Sequence, residues 1–152
     1  MRAVIQRVSR AEVRIDNASA GKIGKGLLIF LAVAHEDTEA DLNWLLEKIC
    51  QMRLFPNEAG KFDRSLLDIG GEVLLVSQFT LYGECRKGRR PDFTKAAPPE
   101  KANDLYEKGI LWLRNRGIKT ESGRFAAMMD VELVNDGPVT IILDSPTANS
   151  IS

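Results

Sequence analysis

The sequence predicts an α+β fold in which a mostly antiparallel, barrel-like sheet layer packs against two main helices. Three observations carry this prediction. Apolar residues alternate with polar ones near the start of the chain, continuous apolar runs of strand length follow, and two segments repeat apolar residues at the spacing of a helix face. With 152 residues, 44% of them hydrophobic, the chain can bury one substantial core, so we expect a single domain.

The first elements are predicted to be strands. From Ala3 to Ile15 apolar and polar residues alternate, which is typical of a half-buried strand. The glycine-rich segment 21–26 follows, and we interpret it as a hairpin turn. The continuous apolar run from Leu27 to Ala34 is typical of a central, buried strand.

Two helices are expected in the middle of the chain. The first begins near Thr38, with either Thr38 or Asp37 as its cap, and ends at Pro56 at the latest. The second opens at 98–100, where proline is tolerated in a first turn, and ends near Gly117. Between them, the segment from 72 to 81 is typical of a second buried strand.

The last third of the chain is predicted to be strand again. Two apolar runs, 128–134 and 139–143, flank an Asn-Asp-Gly-Pro segment at 135–138. Because each of these four residue types favours a turn, we expect the two runs to lie antiparallel across a tight connection. The small, polar residues 145–152 are expected to form a flexible C-terminal tail.

Composition excludes several function classes. Lys and Arg together number 21, as do Asp and Glu, so any contact with nucleic acid must be local. The N-terminus is interrupted by charges too early for a signal peptide, and no apolar run is long enough to span a membrane, so no membrane partner is expected. With only Cys50 and Cys85, a disulfide framework is improbable and a cytoplasmic location is expected.

Familiar catalytic and metal-binding motifs are missing from the sequence. His35 is the only histidine, and the two cysteines lack a CxxC spacing, so neither a zinc site nor another metal site is expected. No Gly-x-Ser-x-Gly elbow supports a Ser-His-Asp triad. The glycine-rich segment 21–26 lacks the Gly-Lys-Ser/Thr of a phosphate loop, and we expect no cofactor.

Two segments remain as candidates for function. Arg86, Lys87, Arg89 and Arg90 place four cations in one short loop, which is enough to contact several phosphates, although a merely solvated loop has the same composition. The segment 135–138 has an ordinary interpretation as a turn, but its proline removes an N–H donor where the next strand would start.

Together these segments resemble a known family. The resemblance rests on five motifs in order: Ile5–Val8, Ser77–Leu81, Arg89–Phe93, Gly123–Phe125 and Asn135–Thr140. In this combination the chain is similar to D-aminoacyl-tRNA deacylase of the bacterial and eukaryotic type, over residues 1–144.

The resemblance implies a homodimer that hydrolyses the ester joining a D-amino acid to tRNA, and also glycyl-tRNA(Ala), as proofreading of mischarged tRNA. It places Gly137 and Pro138, joined by a cis peptide bond, in a chiral gate that enters the pocket of the partner subunit. It assigns catalysis and the pocket wall to Ser77, Gln78, Phe79, Thr80 and Leu81, with Met129 and Ala97 as pocket neighbours. Aminoacyl-tRNA and a second copy of the chain are then the partners, and DNA is not.

Chiral selection and ester hydrolysis both have a physical basis in these residues. A rigid wall where an L-amino acid projects its Cβ rejects every L-ester and admits glycine. Backbone N–H groups near Phe79 and Thr80 are expected to hold the developing oxyanion. Either Thr80 is a nucleophile, or the 2′-hydroxyl of the terminal ribose helps to activate water. We favour the second mechanism because no base near Thr80 is evident in the sequence.

Two alternatives stay open on the sequence. One is a deacylase with a relaxed gate that admits L-alanine on a non-cognate tRNA. The other is a dimeric RNA-binding module without catalysis. Comparing the hydrolysis of D- and L-aminoacyl-tRNA tests the relaxed gate, and binding of charged tRNA without ester cleavage would support the RNA-binding module.

Overall fold

The structure, a computed structural model, describes residues 1–146. Its strands and helices, together with one 3₁₀ helix that we name the 79–82 turn, confirm the α+β class. In chain order they are β1 (Arg2–Ile15), β2 (Ala18–Ile23), β3 (Gly26–Ala32), α1 (Glu39–Gln51), β4 (Phe55–Pro56), β5 (Phe62–Arg64), α2 (Leu66–Ile69), β6 (Glu72–Ser77), the 79–82 turn (Phe79–Tyr82), α3 (Pro99–Asn115), β7 (Thr120–Ser122) and β8 (Asp130–Asp144).

Strand β1 organises the main sheet because it pairs with three other strands, each antiparallel. Its first half pairs with β3 and its second half with β2, while β8 follows its other edge. Beyond β3, strands β6 and β7 are added in parallel. The sheet is therefore mixed, where the sequence predicted a mostly antiparallel one. The parallel part arises because the segments containing α1 and α3 act as crossover connections.

The two ends of this sheet approach each other. A Cβ atom added to Gly21 of β2 would lie 2.9 Å from the carbonyl oxygen of Ser122 in β7. Only a glycine permits backbones to come this close. The sheet is thereby bent into a nearly closed barrel.

The core has two parts, one on each face of the sheet. The inner face buries mainly β-branched and aliphatic side chains: Val8, Ala11, Val13, Ile23, Leu28, Leu74 and Val76. The outer face packs against α1 and α3, where Leu42, Leu45, Leu46 and Ile49 form the buried stripe of α1. Burial of these apolar stripes supplies most of the driving force for folding.

Several predicted elements are confirmed. The strands expected over 3–15 and 27–34 correspond to β1 and β3, and the two expected helices correspond to α1 and α3. Thr38 is the N-cap residue of α1, and its N–H donates to the Asp41 carboxylate at 2.8 Å. Both helices thus begin where the capping signals predicted.

Two predictions at the glycine-rich and second strand segments were wrong. Residues 18–23 form β2, and the turn before it lies at Asp16 and Asn17, whose φ angles are 51° and 64°. Asn and Asp tolerate this left-handed conformation. The prediction placed the turn at the nearby glycines, which are stronger turn signals. The strand predicted over 72–81 ends at Ser77, after which the chain enters the 79–82 turn.

The hairpin predicted at 135–138 was also wrong, because 130–144 is one strand. Both halves of β8 pair with β1, with Val8 opposite Asn135 and Gln6 opposite Thr140. Residues 136–139, which we name the 136–139 bulge, therefore face a single residue of β1, Arg7. A long β1 offers pairing on both sides of the bulge, so the turn-forming residues loop out without reversing the chain.

The N-terminus lies beside Ser145, the residue that follows β8. The ammonium group of Met1 donates to the Asp37 carboxylate at 2.7 Å and to the Ser145 hydroxyl at 2.9 Å. The Ser145 N–H in turn donates to the Met1 carbonyl at 2.9 Å, and Ser145 is buried. Of the tail predicted over 145–152, residues 147–152 lie outside the described residues.

Candidate active site

A cavity of about 820 Å³ opens where the parallel strands β3 and β6 end. Leu31 and Ser77 are paired at these ends, so both strands deliver their last residues to the same edge of the sheet. The start of α3 and the segment 125–129 complete the wall, which is largely apolar. A crevice beyond the carboxyl ends of parallel strands is a common place for a ligand site.

The 79–82 turn begins at the rim of this cavity. The Gln78 N–H still donates to the Leu31 carbonyl at 2.8 Å, and the chain then leaves the sheet. Inside the turn, the Leu81 N–H donates to the Gln78 carbonyl at 3.2 Å. Among the described residues, the N–H groups of Phe79 and Thr80 donate to no acceptor. Two adjacent N–H groups at the start of a helical turn can bind an anionic oxygen.

The hydroxyl of Thr80 is already engaged. It accepts a short hydrogen bond from the Gln78 side-chain amide. An amide cannot remove a proton, and no histidine or carboxylate contacts this hydroxyl within residues 1–146. A threonine nucleophile needs such a base, so the local geometry disfavours that role.

The predicted pocket residues divide into three groups. Ser77, Gln78, Phe79, Ala97 and Met129 line the cavity, whereas Thr80 and Leu81 belong to the 79–82 turn without lining it. Gly137 and Pro138 lie apart from the cavity, in the 136–139 bulge, and both are exposed. In a single chain the residues predicted to form the gate are therefore separate from the cavity.

The Gly-Arg-Phe segment supports the cavity wall. A Cβ on Gly123 would lie 2.6 Å from the Met129 sulfur, so this position must be small for Met129 to pack. Phe125 lines the cavity and contacts the ring of Tyr106 at 6.2 Å between centroids. Burial raises the pKa of Tyr106 to about 12, so its phenol stays protonated and donates to the Leu75 carbonyl at 2.7 Å.

The 136–139 bulge is held from both ends. The Asn135 side chain accepts from the Val139 N–H and donates to the Thr140 hydroxyl, each at 3.0 Å. Gly137 has a φ of 128°, and the Gly137–Pro138 peptide bond is cis. A Cβ on Gly137 would lie 2.9 Å from the Arg7 guanidinium, so that side chain would have to shift, and the positive φ itself favours glycine.

Arg7 is a site residue whose role the sequence left open. Its side chain is buried and donates to the Asp136 carbonyl at 3.0 Å and to the Leu54 carbonyl at 2.7 Å. The Phe62 ring covers the guanidinium at 5.5 Å. Arg7 thus ties the base of the bulge to the segment after α1. Sequence alone does not show that an arginine inside a strand will hold a distant bulge, because its partners are far away along the chain.

The four predicted tRNA-binding cations are exposed in one loop. Arg86, Lys87, Arg89 and Arg90 lie between Glu84 and Asp92, whose backbones are joined by two hydrogen bonds. Phe93 then packs edge-on against Phe79, with 5.2 Å between the ring centroids. The loop is thereby attached to the rim of the cavity.

The described part of the chain has neither a metal-binding cluster nor a membrane-spanning helix. Residues 1–146 contain no cluster of three or more His, Cys, Asp or Glu side chains that could hold a metal ion. None of the helices described is both long and apolar enough to cross a membrane.

Comparison with known proteins identifies the family of the chain. Residues 4–144 match the family model described as D-Tyr-tRNA(Tyr) deacylase. Relatives named D-aminoacyl-tRNA deacylase include those of Thermotoga petrophila and Thermus aquaticus, which are 56% and 57% identical over 145 residues. These alignments cover 95% of this chain and 97% and 95% of the respective relatives.

Solved structures show the same fold. The c-Myc DNA Unwinding Element Binding Protein is 41% identical, with a TM-score of 0.91 over 97% of this chain and 100% of that chain. A probable eukaryotic D-amino acid tRNA deacylase is 17% identical, with a TM-score of 0.84 over 94% of this chain and 98% of that chain. The second likeness concerns the fold alone.

Proposed function

Because the chain belongs to the D-aminoacyl-tRNA deacylase family, we propose that its cavity receives the aminoacyl end of the substrate and that the 79–82 turn promotes hydrolysis. The enzyme cleaves the ester bond of D-aminoacyl-tRNA. The observation that carries the proposed site is the pair of unused N–H groups at Phe79 and Thr80, beside a cavity of about 820 Å³. In this role residues 1–144 form the deacylase domain.

Hydrolysis proceeds by addition of water to the ester carbonyl. The water oxygen bonds to the carbonyl carbon, the bond to the ribose oxygen breaks, and a proton ends on that leaving oxygen. The N–H groups of Phe79 and Thr80 donate to the oxyanion that forms in between. Each such donor contributes about 2.7–4 kcal/mol in enzymes where it has been removed.

The proton acceptor for the attacking water is supplied by the substrate. The Thr80 hydroxyl is occupied by the Gln78 amide, which supports a mechanism without a protein nucleophile. The 2′-hydroxyl of the terminal ribose, which lies next to the ester, then helps to orient and activate water. Ser77 and Gln78 shape the wall, and Phe79 packs against the ribose or the adenine.

Chirality is decided by the 136–139 bulge of a second subunit. Gly137 and Pro138 are exposed and lie away from the cavity of their own chain, so they reach a cavity only in a homodimer. Arg7 and Asn135 hold the bulge, which makes it a stiff wall of main-chain atoms. Such a wall excludes the Cβ of an L-residue, and Leu81, Ala97 and Met129 complete the surroundings.

The same exclusion leaves room for glycine. A wall that rejects an L-side chain by size alone cannot reject an amino acid that has none. Glycyl-tRNA(Ala) is therefore a second substrate, and the enzyme acts in proofreading of mischarged tRNA. The tRNA backbone is held by Arg86, Lys87, Arg89 and Arg90 near the cavity rim. A cytoplasmic location suits the two free cysteines, Cys50 and Cys85.

The test compares matched substrates with the wild-type chain and the Thr80→Ala variant. D-tyrosyl-tRNA and glycyl-tRNA(Ala) should be hydrolysed, and L-tyrosyl-tRNA should be left intact. Thr80→Ala should keep most of the rate, whereas a substrate with a 2′-deoxy terminal ribose should lose most of it. Equal hydrolysis of both enantiomers would indicate a relaxed gate, and an acyl adduct trapped on Thr80 would contradict the mechanism.

A further inference from the structure

Arg2 connects the end of β8 to the 79–82 turn. Its guanidinium forms a two-pronged pair with Asp144, with Nε and Nη2 donating to the two carboxylate oxygens at 2.8 and 3.3 Å. The remaining nitrogen, Nη1, donates to the Leu81 carbonyl at 3.2 Å. The same guanidinium lies 5.3 Å from the centre of the Tyr82 ring. One side chain therefore holds both the carbonyl and the ring at the end of the turn.

The pairing of β1 with β8 does not need this contact. The two strands are joined by a backbone ladder from Arg2 opposite Asp144 to Arg14 opposite Asp130. The Arg2 and Asp144 side chains are 37% and 54% exposed, and exposed ion pairs contribute little to stability. What distinguishes this pair from others on the sheet is its reach to the turn.

The Leu81 carbonyl is a sensitive point for the turn. Carbonyls in the last turn of a short helix have no partner within the helix and need an outside donor. The N–H of the same residue donates to the Gln78 carbonyl, so Leu81 is fixed on both sides. A fixed Leu81 restricts the two residues between it and Gln78, which carry the unused N–H groups.

We propose that Arg2, held by Asp144, is a positioning residue that fixes the 79–82 turn so that the Phe79 and Thr80 N–H groups point at the ester oxyanion. This inference rests on the proposed function of those N–H groups. Arg2 does not touch the substrate. Its effect is therefore on the transition state, where donor direction matters most, more than on substrate binding.

The test is steady-state deacylation of D-tyrosyl-tRNA by Arg2→Ala in the full chain. We expect kcat to fall about tenfold, which corresponds to about 1.4 kcal/mol in the barrier, with KM within about twofold of wild type. Arg2→Lys keeps a positive charge opposite Asp144 but lacks the planar fork, so its kcat should resemble that of Arg2→Ala. Wild-type kcat in Arg2→Lys would overturn the inference, because charge alone would then suffice.

Arg10→Ala is the matched control. Arg10 and Glu132 also pair across β1 and β8, at 3.0 Å and with similar exposure, but Arg10 does not contact the turn. We expect kcat to stay at the wild-type value in this variant. An equal fall in both variants would mean that any weakened strand contact suffices, and the positioning role of Arg2 would be lost.

Amide hydrogen exchange gives a second readout that does not depend on activity. The N–H groups of Leu81 and Gly83 are hydrogen-bonded inside the turn and should exchange faster in Arg2→Ala than in Arg10→Ala. Unchanged exchange together with unchanged kcat would reject the inference while leaving the deacylase site intact. Failure of the wild-type chain to hydrolyse D-tyrosyl-tRNA would reject the proposed site, and the positioning role of Arg2 with it.

Discussion

At the scale of residues, the proposed mechanism relies mainly on main-chain groups. The N–H groups of Phe79 and Thr80 are the proposed oxyanion donors, and Gly137 and Pro138 present main-chain atoms as the proposed gate. Side chains act by holding these groups, as Arg7 does when it donates to the Asp136 carbonyl at 3.0 Å. This explains why the sequence offers no triad or metal-binding motif to find.

Replacement of Phe79 by proline tests the oxyanion donor directly. Proline removes the N–H, but it is tolerated at the first position of a helical turn. Gln78, with φ −145° and ψ 79°, lies outside the α region that is disfavoured for a residue before proline. We expect kcat to be lower than in Phe79→Ala by a factor on the order of 10²–10³, the cost of one lost donor.

Phe79→Ala is the control because it removes the ring and keeps the N–H. Single-turnover rates with D-tyrosyl-tRNA provide the measurement. If the two variants hydrolyse the ester equally fast, the Phe79 N–H is not an oxyanion donor.

At the scale of elements, the proposed site depends on two interruptions of strands. β6 stops at Ser77 so that the 79–82 turn can present N–H groups which a continuing strand would have paired. β8 continues past the 136–139 bulge because β1 pairs with both of its halves. Interruptions of this kind are common where a sheet carries a binding or catalytic group.

The basic loop gives a prediction for tRNA binding. Charge reversal at Arg89 and Arg90 should weaken tRNA affinity and reduce its dependence on salt, because fewer counterions are released on binding. The salt dependence of the dissociation constant, measured with uncharged tRNA, tests this. Charge reversal at Lys22 and Lys25, which lie in and after β2, is the control and should have a smaller effect. Equal affinity of the loop variant and the wild type would place the phosphates elsewhere.

At the scale of the whole molecule, one buried ion pair ties distant parts of the chain together. The Met1 ammonium and Asp37 are 2.7 Å apart, with side chains 0% and 5% exposed. Asp37→Asn leaves the ammonium without its counter-charge and should lower the free energy of unfolding by about 3–5 kcal/mol. Urea unfolding measures this. Asp63→Asn, which breaks an exposed pair with Arg53, should cost about 1 kcal/mol or less.

A comparable loss of stability in both variants would show that the buried pair contributes no more to the free energy of unfolding than the exposed pair does. Unchanged stability of Asp37→Asn would show that the ammonium is equally well satisfied by the Ser145 hydroxyl, which lies 2.9 Å away.

The proposed dimer predicts that the gate acts across subunits. Gly137→Ala should displace the bulge, because its Cβ would lie 2.9 Å from Arg7, and the homodimer should then hydrolyse L-tyrosyl-tRNA. The decisive sample mixes wild type with a chain carrying both Gly137→Ala and Phe79→Pro. In a mixed dimer, a wild-type cavity faces the displaced gate, so L-tyrosyl-tRNA should be hydrolysed.

A gate acting within its own chain gives the opposite result. Each active cavity would then keep an intact gate, and the mixture would leave the L-ester untouched. Sedimentation of the wild-type chain as a monomer at assay concentration would also contradict the cross-subunit gate.

The sequence by itself determined the elements whose signals are local. Alternation predicts β1, the apolar run predicts β3, and capping residues predict the starts of α1 and α3, because each signal lies within the element. The family motifs also lie in the sequence. They indicate that Ser77–Leu81 and 135–140 are functional segments.

Only the tertiary structure decided how those motifs are used. The turn-forming residues 136–138 became part of the 136–139 bulge because β1, more than a hundred residues away in sequence, pairs on both sides of it. Arg7 and Arg2 acquired their contacts for the same reason, since Asp136, Leu81 and Asp144 come near them only through the folded sheet. Long-range pairing outweighs local preference, because a continuous ladder satisfies more backbone groups than one tight turn.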